Sequence, residues 1–310
     1  MFQIIPKETH IDFMGKRFIA FTISGLLSIS GIVALVMILL GNANLSIDFA
    51  GGTAMQISFS KEVPLEQARQ TISDAGIAGA ELQNIEGKNA ILVRVKKEDK
   101  KESAADPENT MNKRITAALT KLDDKLTIDS SDFVGPNIGG EQRDKAILAI
   151  IFATLSLLVY IAIRFDYKFG IAAALATFHD VLAVLGVSYF MGLEITLLII
   201  TALLTLAGYS LTDTVVVFDR IRENLRKNPR TPFIELLNAS INQVLSRTII
   251  TSLTVLLVLI ALYFFGGPVL KDFSFALSFG VIIGTYSSVF VASPLLLIWK
   301  GGRTQGAVAK

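Results

Sequence analysis

The sequence predicts a membrane-embedded, all-α bundle of six spanning helices that carries one inserted α+β domain. The chain of 310 residues is 52% hydrophobic and only 18% charged, whereas soluble domains carry about 25% charged residues. Six largely uncharged stretches reach or approach the ~20 residues that cross a bilayer. One long polar segment, residues 41–145, separates the first of these stretches from the other five.

The composition argues against several functional classes. The chain has no cysteine, so disulfides, thiolate metal sites and cysteine nucleophiles are ruled out. Its two histidines do not show the HExxH spacing of a zinc enzyme. The net charge of +2 gives no indication of a nucleic-acid partner. Because the chain has no nucleophile–base motif either, we expect neither an enzyme nor a bound cofactor.

The first predicted span, residues 18–40, follows a polar tail of residues 1–17. It is too long for the apolar core of a signal peptide, so we interpret it as a retained span. The other five spans fall within residues 146–299 and are predicted at 146–163, 169–193, 195–218, 240–265 and 273–299. A short tail, residues 300–310, completes the chain.

Positive charge predicts the orientation, because cytoplasmic loops carry an excess of lysine and arginine. With six spans, both tails and the loops after the second and fourth spans lie on one side of the membrane. The basic residues of these four segments are Lys7, Lys16, Arg17, Arg164, Lys168, Arg220, Arg222, Arg226, Lys227, Arg230, Lys300, Arg303 and Lys310. The short loops on the other side offer Lys271. We therefore expect cytoplasmic termini and an exported segment 41–145.

The exported segment has the pattern of a folded domain. Residues 52–60 alternate in polarity like a strand, and a helix follows from Pro64 to the stop at Gly76. A hairpin over 80–96 with its turn at 86–89, a loop over 96–102, a helix opening at Asp106-Pro107 and a last strand at 126–134 complete the pattern. The order β-α-β-β-α-β predicts a ferredoxin-like domain. Binding and mechanical work both remain open as its role.

Two charged residues lie inside predicted spans, where an ionisable group costs a few kcal/mol or more and suggests function. Asp213 lies six residues before Asp219, and Arg247 lies seven residues after Ser240. Both are therefore about 10 Å inside the same boundary, at 1.5 Å per residue. We expect Asp213 and Arg247 to face each other. Such a pair is either a proton-carrying site or a structural ion pair between helices.

Polar residues accompany these charges at helical spacing. Tyr209 and Ser210 lie one turn before Asp213. Each of the last three spans also carries a stripe of polar or small residues along one face. The stripe on the fourth span is Thr201, Thr205, Gly208 and Thr212, that on the fifth is Ser240, Gln243, Arg247, Thr251 and Thr254, and that on the sixth is Ser274, Ser278, Thr285 and Ser288. Such stripes favour a wet path for a proton, or else close helix packing by small residues. The pair Gly280 and Gly284 indicates packing.

A second polar pair, His179-Asp180, lies about ten residues into the third span. It is compatible with a proton relay and equally with a structural contact to a neighbouring helix or subunit. Glu194 lies at the expected exported boundary, so we interpret it as an interfacial residue. His179 and Asp180 are adjacent in the sequence and have no further supporting ligands, so they are a poor fit to a metal site.

The segment GYSLTDTVVVFDRIREN, residues 208–224, closely resembles the fourth-span signature of the SecD/SecF family of protein-export membrane proteins. Further matches occur in the family's order at 47–52 (IDFAGG), 134–136 (VGP) with Ile138, Gly139 and Glu141, 179–180 (HD), 245–252 (LSRTIITS) and 265–270 (FGGPVL). The resemblance covers the chain from residue 47 to the sixth span, and its longest motif is highly specific.

The resemblance implies half of a resistance-nodulation-division type transporter in the bacterial inner membrane, with SecD supplying the other six spans. It implies use of the proton-motive force to complete export of unfolded preproteins, together with the SecYEG channel, the SecA ATPase and YajC. Asp213 and Arg247 are implicated in proton movement, with the proton as coupling ion. The alternative is a proton-driven exporter of lipid or small molecules, which usually carries twelve spans.

Motion of the exported domain would need flexible junctions. Gly51, Gly52, Gly139 and Gly140 stand where the domain joins the spans, so they are candidate hinges. Glycines that simply fit tight turns are an equal alternative.

Overall fold

A computed structural model of the chain describes residues 9–40, 42–77, 79–85, 88–96 and 107–300. In chain order its regular elements are α1 (Arg17–Leu39), α2 (Ile47–Ala50), β1 (Gly52–Ser58), α3 (Leu65–Asp74), β2 (Ala80–Ile85), β3 (Ala90–Lys96), α4 (Pro107–Leu119), β4 (Thr127–Val134), α5 (Pro136–Arg164), α6 (Tyr167–Phe190), α7 (Leu197–Lys227), α8 (Phe233–Phe265), α9 (Gly267–Ser287) and α10 (Ser293–Lys300). They fall into two compact units: the α+β domain, residues 44–149 with 194–197, and the helical unit formed by the rest.

The described residues include six helices that are long and apolar enough to cross a membrane, which confirms the predicted number of spans. Several are longer than the apolar stretches that predicted them. Helix α5 begins ten residues early because Pro136 opens it, and proline is favoured in the first helical turn. Helix α8 likewise begins at Phe233, directly after Pro232. The sixth stretch contains a π-helical turn at Ser288–Ala292 between α9 and α10.

The α+β domain contains one four-stranded antiparallel sheet in the order β2-β3-β1-β4. This order, with α3 and α4 as the crossover helices, is that of the predicted ferredoxin-like fold. The central strand β1 pairs residue for residue with β3, from Gly52 opposite Lys96 to Ser58 opposite Ala90. Residues 86 and 87 of the predicted hairpin turn at 86–89 lie outside the described residues, as do residues 97–102 of the predicted loop over 96–102.

The core of this domain forms where alternate residues of the sheet meet the two helices. Met55, Ile57 and Val93 of the sheet are fully buried, as are Ile115 and Leu119 of α4. The domain is also tied by Asp123, which accepts hydrogen bonds from the backbone N–H of Ser60 at 2.6 Å and from its hydroxyl at 2.7 Å. The segments before α3 and after α4 are thereby joined.

Glycines set the closest helix contacts in the helical unit. A Cβ on Gly186 of α6 would lie 2.3 Å from the hydroxyl oxygen of Ser30 and 2.7 Å from the nitrogen of Gly31. A Cβ on Gly280 of α9 would lie 2.7 Å from the side chain of Leu206. At Gly186 the contacts include backbone atoms, so a side chain there has no room. At Gly280 the contact is with the end of the Leu206 side chain, which lies against the glycine as the predicted packing role requires. No comparable signal in the sequence points to Gly186.

Candidate functional site

Asp213 lies near the middle of α7, sixteen residues after Leu197 and fourteen before Lys227. Its side chain is only 7% exposed, and its Oδ2 atom is buried without a hydrogen-bond partner among the described residues. Most buried polar atoms in proteins have a partner, so an unpaired carboxylate oxygen calls for an explanation.

Arg247 lies near the middle of α8, fourteen residues after Phe233, and its side chain is exposed on the helical unit. It acts on the charge of Asp213, but among the described residues no carboxylate lies within 4.0 Å of its guanidinium. The sequence placed the two groups at one depth and predicted a facing pair. The structure instead turns Asp213 inward and Arg247 outward, because the rotation of each helix about its axis is fixed by packing.

A short chain of hydroxyl groups runs beside Asp213. The hydroxyl of Tyr209, one turn earlier on α7, donates to Ser252 Oγ of α8 at 3.2 Å. Ser252 Oγ lies 2.6 Å from Thr285 Oγ1 of α9, and Thr285 in turn acts on the Asp213 carboxylate. We call Tyr209, Ser252 and Thr285 the hydroxyl chain. It places exchangeable protons from three helices around one carboxylate.

Asp180 lies at the centre of a second, fully buried cluster. Its side chain is 0% exposed. Its carboxyl group lies 2.8 Å from His179 Nδ1 and accepts hydrogen bonds from Ser287 Oγ of α9 at 2.7 Å and from Ser210 Oγ of α7. We call these four residues the Asp180 cluster. It links α6, α7 and α9, so the structure supplies the contact to neighbouring helices that the sequence left as one of two alternatives.

The other predicted relay residues have different surroundings. Gln243 accepts hydrogen bonds from Arg220 Nε at 2.6 Å and from Asn224 Nδ2 at 2.8 Å, toward the end of α7. Thr251 donates to the backbone carbonyl of Arg247. Among the described residues neither side chain forms a hydrogen bond with Asp213, so both lie outside the hydroxyl chain. Ser252, which the sequence reasoning missed, takes the place that was predicted for Thr251.

Exposed polar rows lie along α7 and α8, and the predicted stripes on these helices are therefore on the surface of the helical unit. Their exposed members are Thr201, Thr205, Thr212, Gln243, Arg247, Thr251 and Thr254. The hydroxyls of Thr212 and Thr251 bond to carbonyls of their own helices, which makes them tolerable in an apolar environment. The guanidinium of Arg247 is permanently charged, so a hydrogen bond to its own helix does not make it tolerable in an apolar environment in the same way.

The candidate hinge glycines all lie in the α+β domain. Gly51 and Gly52 have φ angles of 74° and 145°, which L side chains rarely adopt. A Cβ on Gly139, inside α5, would lie 3.0 Å from the nitrogen of Gly51. Gly51, Gly52 and Gly139 therefore require glycine for turning or for close contact, as one of the two alternatives predicted, whereas a Cβ on Gly140 would meet nothing within 4 Å. Their action as hinges stays a prediction.

The geometry allows one kind of chemistry at Asp213. Burial in the membrane layer disfavours the ionised carboxylate, whereas the hydroxyl of Thr285 and the guanidinium of Arg247 favour it. These opposing influences suit Asp213 to gain and lose a proton. The described residues contain no group of three or more histidine and acidic side chains arranged for a metal ion.

Sequence comparisons identify related proteins over nearly the whole chain. The family described as protein export membrane protein SecD/SecF, C-terminal, matches residues 113–302, and the SecD/SecF GG motif matches residues 44–63. The protein translocase subunit SecF of Thermodesulfovibrio yellowstonii is 49% identical over 300 residues, which are 96% of this chain and 97% of that protein. SecF of Calditerrivibrio nitroreducens is 39% identical over 305 residues, which are 97% of this chain and 98% of that protein.

Structural comparison gives the same result. The crystal structure of SecDF from Thermus thermophilus, a translocon-associated membrane protein, superposes with a TM-score of 0.80 at 37% identity. The match covers 96% of this chain but 40% of that one, so the chain corresponds to less than half of SecDF. These matches identify a transport protein, not an enzyme. The chain therefore belongs to the SecD/SecF family of protein export membrane proteins, as a SecF subunit of the protein translocase.

Proposed function

We propose that the chain, with SecD as its partner half, uses the proton-motive force to drive or complete the export of unfolded preproteins. In this proposal Asp213 is the proton-carrying group, and Arg247 stabilises its ionised form. Protonation changes the charge of a buried group, so the protonated and ionised forms favour different helix packings. The change then moves the α+β domain on the exported side.

One observation carries the proposal: the carboxylate of Asp213 is buried at mid-helix with Oδ2 unpaired. By contrast, both oxygens of the Asp180 carboxyl group lie within 2.8 Å of hydrogen-bonding side chains. The chain thus offers its own comparison. Asp180 is held by three side chains, and Asp213 is left able to exchange a proton.

The exposed polar rows support a partner half in the membrane. An arginine exposed to lipid at mid-membrane is costly, so another protein surface should cover Arg247. The solved SecDF chain contains more than twice the length matched here, and its remaining part is large enough to supply that surface. We therefore assign the polar rows of α7 and α8 to the contact with SecD.

The orientation in the membrane and the further partners of the chain belong to the same proposal. An inner-membrane protein with both termini in the cytoplasm fits the basic loops, and it presents the α+β domain to the outside. SecYEG, SecA and YajC are the expected partners, with SecA driving the early, ATP-dependent stage. Membership of the SecD/SecF family favours preprotein over lipid or small molecules as the cargo.

Asp213→Asn tests the proposal, because asparagine keeps the size of the side chain but cannot ionise. Inverted vesicles containing the complex would export a preprotein with ATP present and the proton gradient on or off. We expect normal insertion, SecD binding and ATP-driven export, but loss of the gradient-dependent increment. Arg247→Met should give the same loss, and Arg247→Lys a partial recovery because it keeps the charge.

The matched control is Asp219→Asn on the same helix. Asp219 is partly exposed and paired with Arg164, so its neutralisation should leave the gradient-dependent increment intact. Full gradient-dependent stimulation in Asp213→Asn would show that this carboxylate is structural and that the proposed mechanism is wrong.

A further inference from the structure

The four residues that precede and open α7 belong to the α+β domain. The sequence assigned Ile195 to the fourth span, but α7 begins at Leu197. Ile195 instead forms a parallel β-bridge with Leu45. Its N–H donates to the carbonyl of Asn44 at 2.8 Å, and its carbonyl accepts from Ser46 N–H at 3.1 Å. We call residues 194–197, with these contacts, the clamp.

The first N–H group of α7 is capped from within the domain. Asp48 Oδ2 accepts a hydrogen bond from the backbone N–H of Leu197 at 3.1 Å and another from the hydroxyl of Ser46 at 2.9 Å. The first turn of a helix has N–H groups without intrahelical partners, and a carboxylate there satisfies one of them and complements the helix dipole. Asp48 lies in the matched GG motif of residues 44–63.

A buried ion pair completes the clamp. Glu194 Oε2 lies 2.9 Å from Arg94 Nη1 of β3, and the Glu194 side chain is only 4% exposed. Burial raises the pKa of Glu194, and the charge of Arg94 opposes that rise. The other charged groups that act on Glu194 are Glu81 of β2, Lys96 of β3 and Asp48 of α2. Removing one partner of such a pair leaves an unpaired buried charge, which is strongly unfavourable.

We propose that the clamp is the element that transmits movement of the proton-carrying helix to the α+β domain, with Arg94, Glu194 and Asp48 as its positioning residues. This inference rests on the proposed function. The chain runs from the clamp into α7 without a break, and Asp213 follows Leu197 by sixteen residues, roughly 24 Å along the helix axis. A shift of α7 therefore pulls directly on the bridge, the cap and the ion pair.

The first test measures whether the ion pair holds the clamp closed. The chain has no cysteine, so Ile195→Cys introduces one reporter thiol at a position that is 3% exposed. In the complete SecD-containing complex, Arg94→Met and Glu194→Gln should each raise the labelling rate of this thiol roughly tenfold or more, since bonds to charged groups stabilise by about that factor. Exchanging the two charges in a double variant should slow labelling again.

The matched control is Arg69→Met. Arg69 lies on α3 of the same domain and also forms an ion pair, with Glu66 at 3.9 Å, but it takes no part in the contacts of the clamp. Its removal should leave the labelling rate of Ile195→Cys within about twofold of the parent. Equal labelling in all variants would overturn the inference, whatever the result of any export assay.

The second test measures coupling. Arg94→Met should abolish most of the gradient-dependent export while ATP-driven export continues, and Arg69→Met should retain both. Leu45→Cys with Ile195→Cys places two thiols on directly bridged residues, a spacing suited to a disulfide. This disulfide should restore gradient-dependent export to Arg94→Met, and reduction should remove the rescue.

The outcomes separate the two proposals. If parent export responds to the gradient and Asp213→Asn does not, but Arg94→Met behaves like the parent, the clamp inference is wrong and the proposed function stands. If the disulfide blocks gradient-dependent export in the parent background, the clamp must open during work, which also overturns the inference. If parent export ignores the gradient, the proposed function fails, and with it the transmitting role.

Discussion

Ser287→Ala should weaken the helical unit far more than the neighbouring Ser288→Ala. Both serines are fully buried at the end of α9. Ser287 Oγ donates to the Asp180 carboxylate at 2.7 Å, whereas Ser288 Oγ donates to the backbone carbonyl of Thr285 at 3.0 Å. The two substitutions remove the same atom from adjacent positions, so their difference isolates the partner of the hydroxyl.

The expected magnitude follows from that partner. A hydrogen bond to a charged group contributes about 1.5–3 kcal/mol, and one between neutral groups about 0.5–1.5 kcal/mol. Ser287 Oγ and Ser210 Oγ both donate to Asp180 Oδ2, and His179 Nδ1 lies 2.8 Å from Asp180 Oδ1, so the loss of Ser287 also disturbs the bonds that Ser210 and His179 make to the same buried carboxyl group. We therefore expect Ser287→Ala to lower the free energy of unfolding by about 1–2 kcal/mol more than Ser288→Ala does.

The assay is reversible unfolding of the purified protein in mixed micelles by a denaturing detergent, followed by circular dichroism. Ser210→Ala removes the donor from α7, and the double variant with Ser287→Ala leaves Asp180 Oδ2 unpaired. The second loss should cost more than the first, because an unsatisfied buried acceptor carries its full desolvation cost. Equal effects of Ser287→Ala and Ser288→Ala, with additive behaviour of the double variant, would contradict the expected contribution of the hydrogen bond from Ser287 to Asp180.

Two further predictions concern the other parts of the chain. Gly186→Ala should lower the free energy of unfolding by about 1–3 kcal/mol, because its Cβ would lie 2.3 Å from Ser30 Oγ. Gly25→Ala should not lower it, because a Cβ there would meet nothing within 4 Å. Equal detergent midpoints for the two variants would contradict the helix contact. Hydrogen bonds from Ser60 and Lys125 lower the pKa of Asp123, so its stabilisation of the α+β domain is present above about pH 4 and is lost as the pH falls through the lowered value. Hydrogen exchange of the domain in the intact chain should show this acid loss, and Asp123→Asn should make exchange less dependent on pH; an unchanged pH profile would count against it.

The sequence determined the architecture because each element has its own periodic signal. Six apolar runs predicted six spans, and alternation in residues 52–134 predicted the strand order and helices of the α+β domain. Helix ends followed less well, because α5 and α8 extend as polar helices beyond their apolar stretches.

What the tertiary structure decided is which polar groups meet. Ser210 and Tyr209 are neighbours in sequence, yet one bonds to Asp180 and the other to Ser252, because adjacent positions on a helix point about 100° apart. Glu194 looked merely interfacial, and its burial against Arg94 required a strand that lies one hundred residues away in the chain. Sequence spacing fixes a residue's depth in a span, but the rotation and contacts of each helix arise only when all the helices pack together.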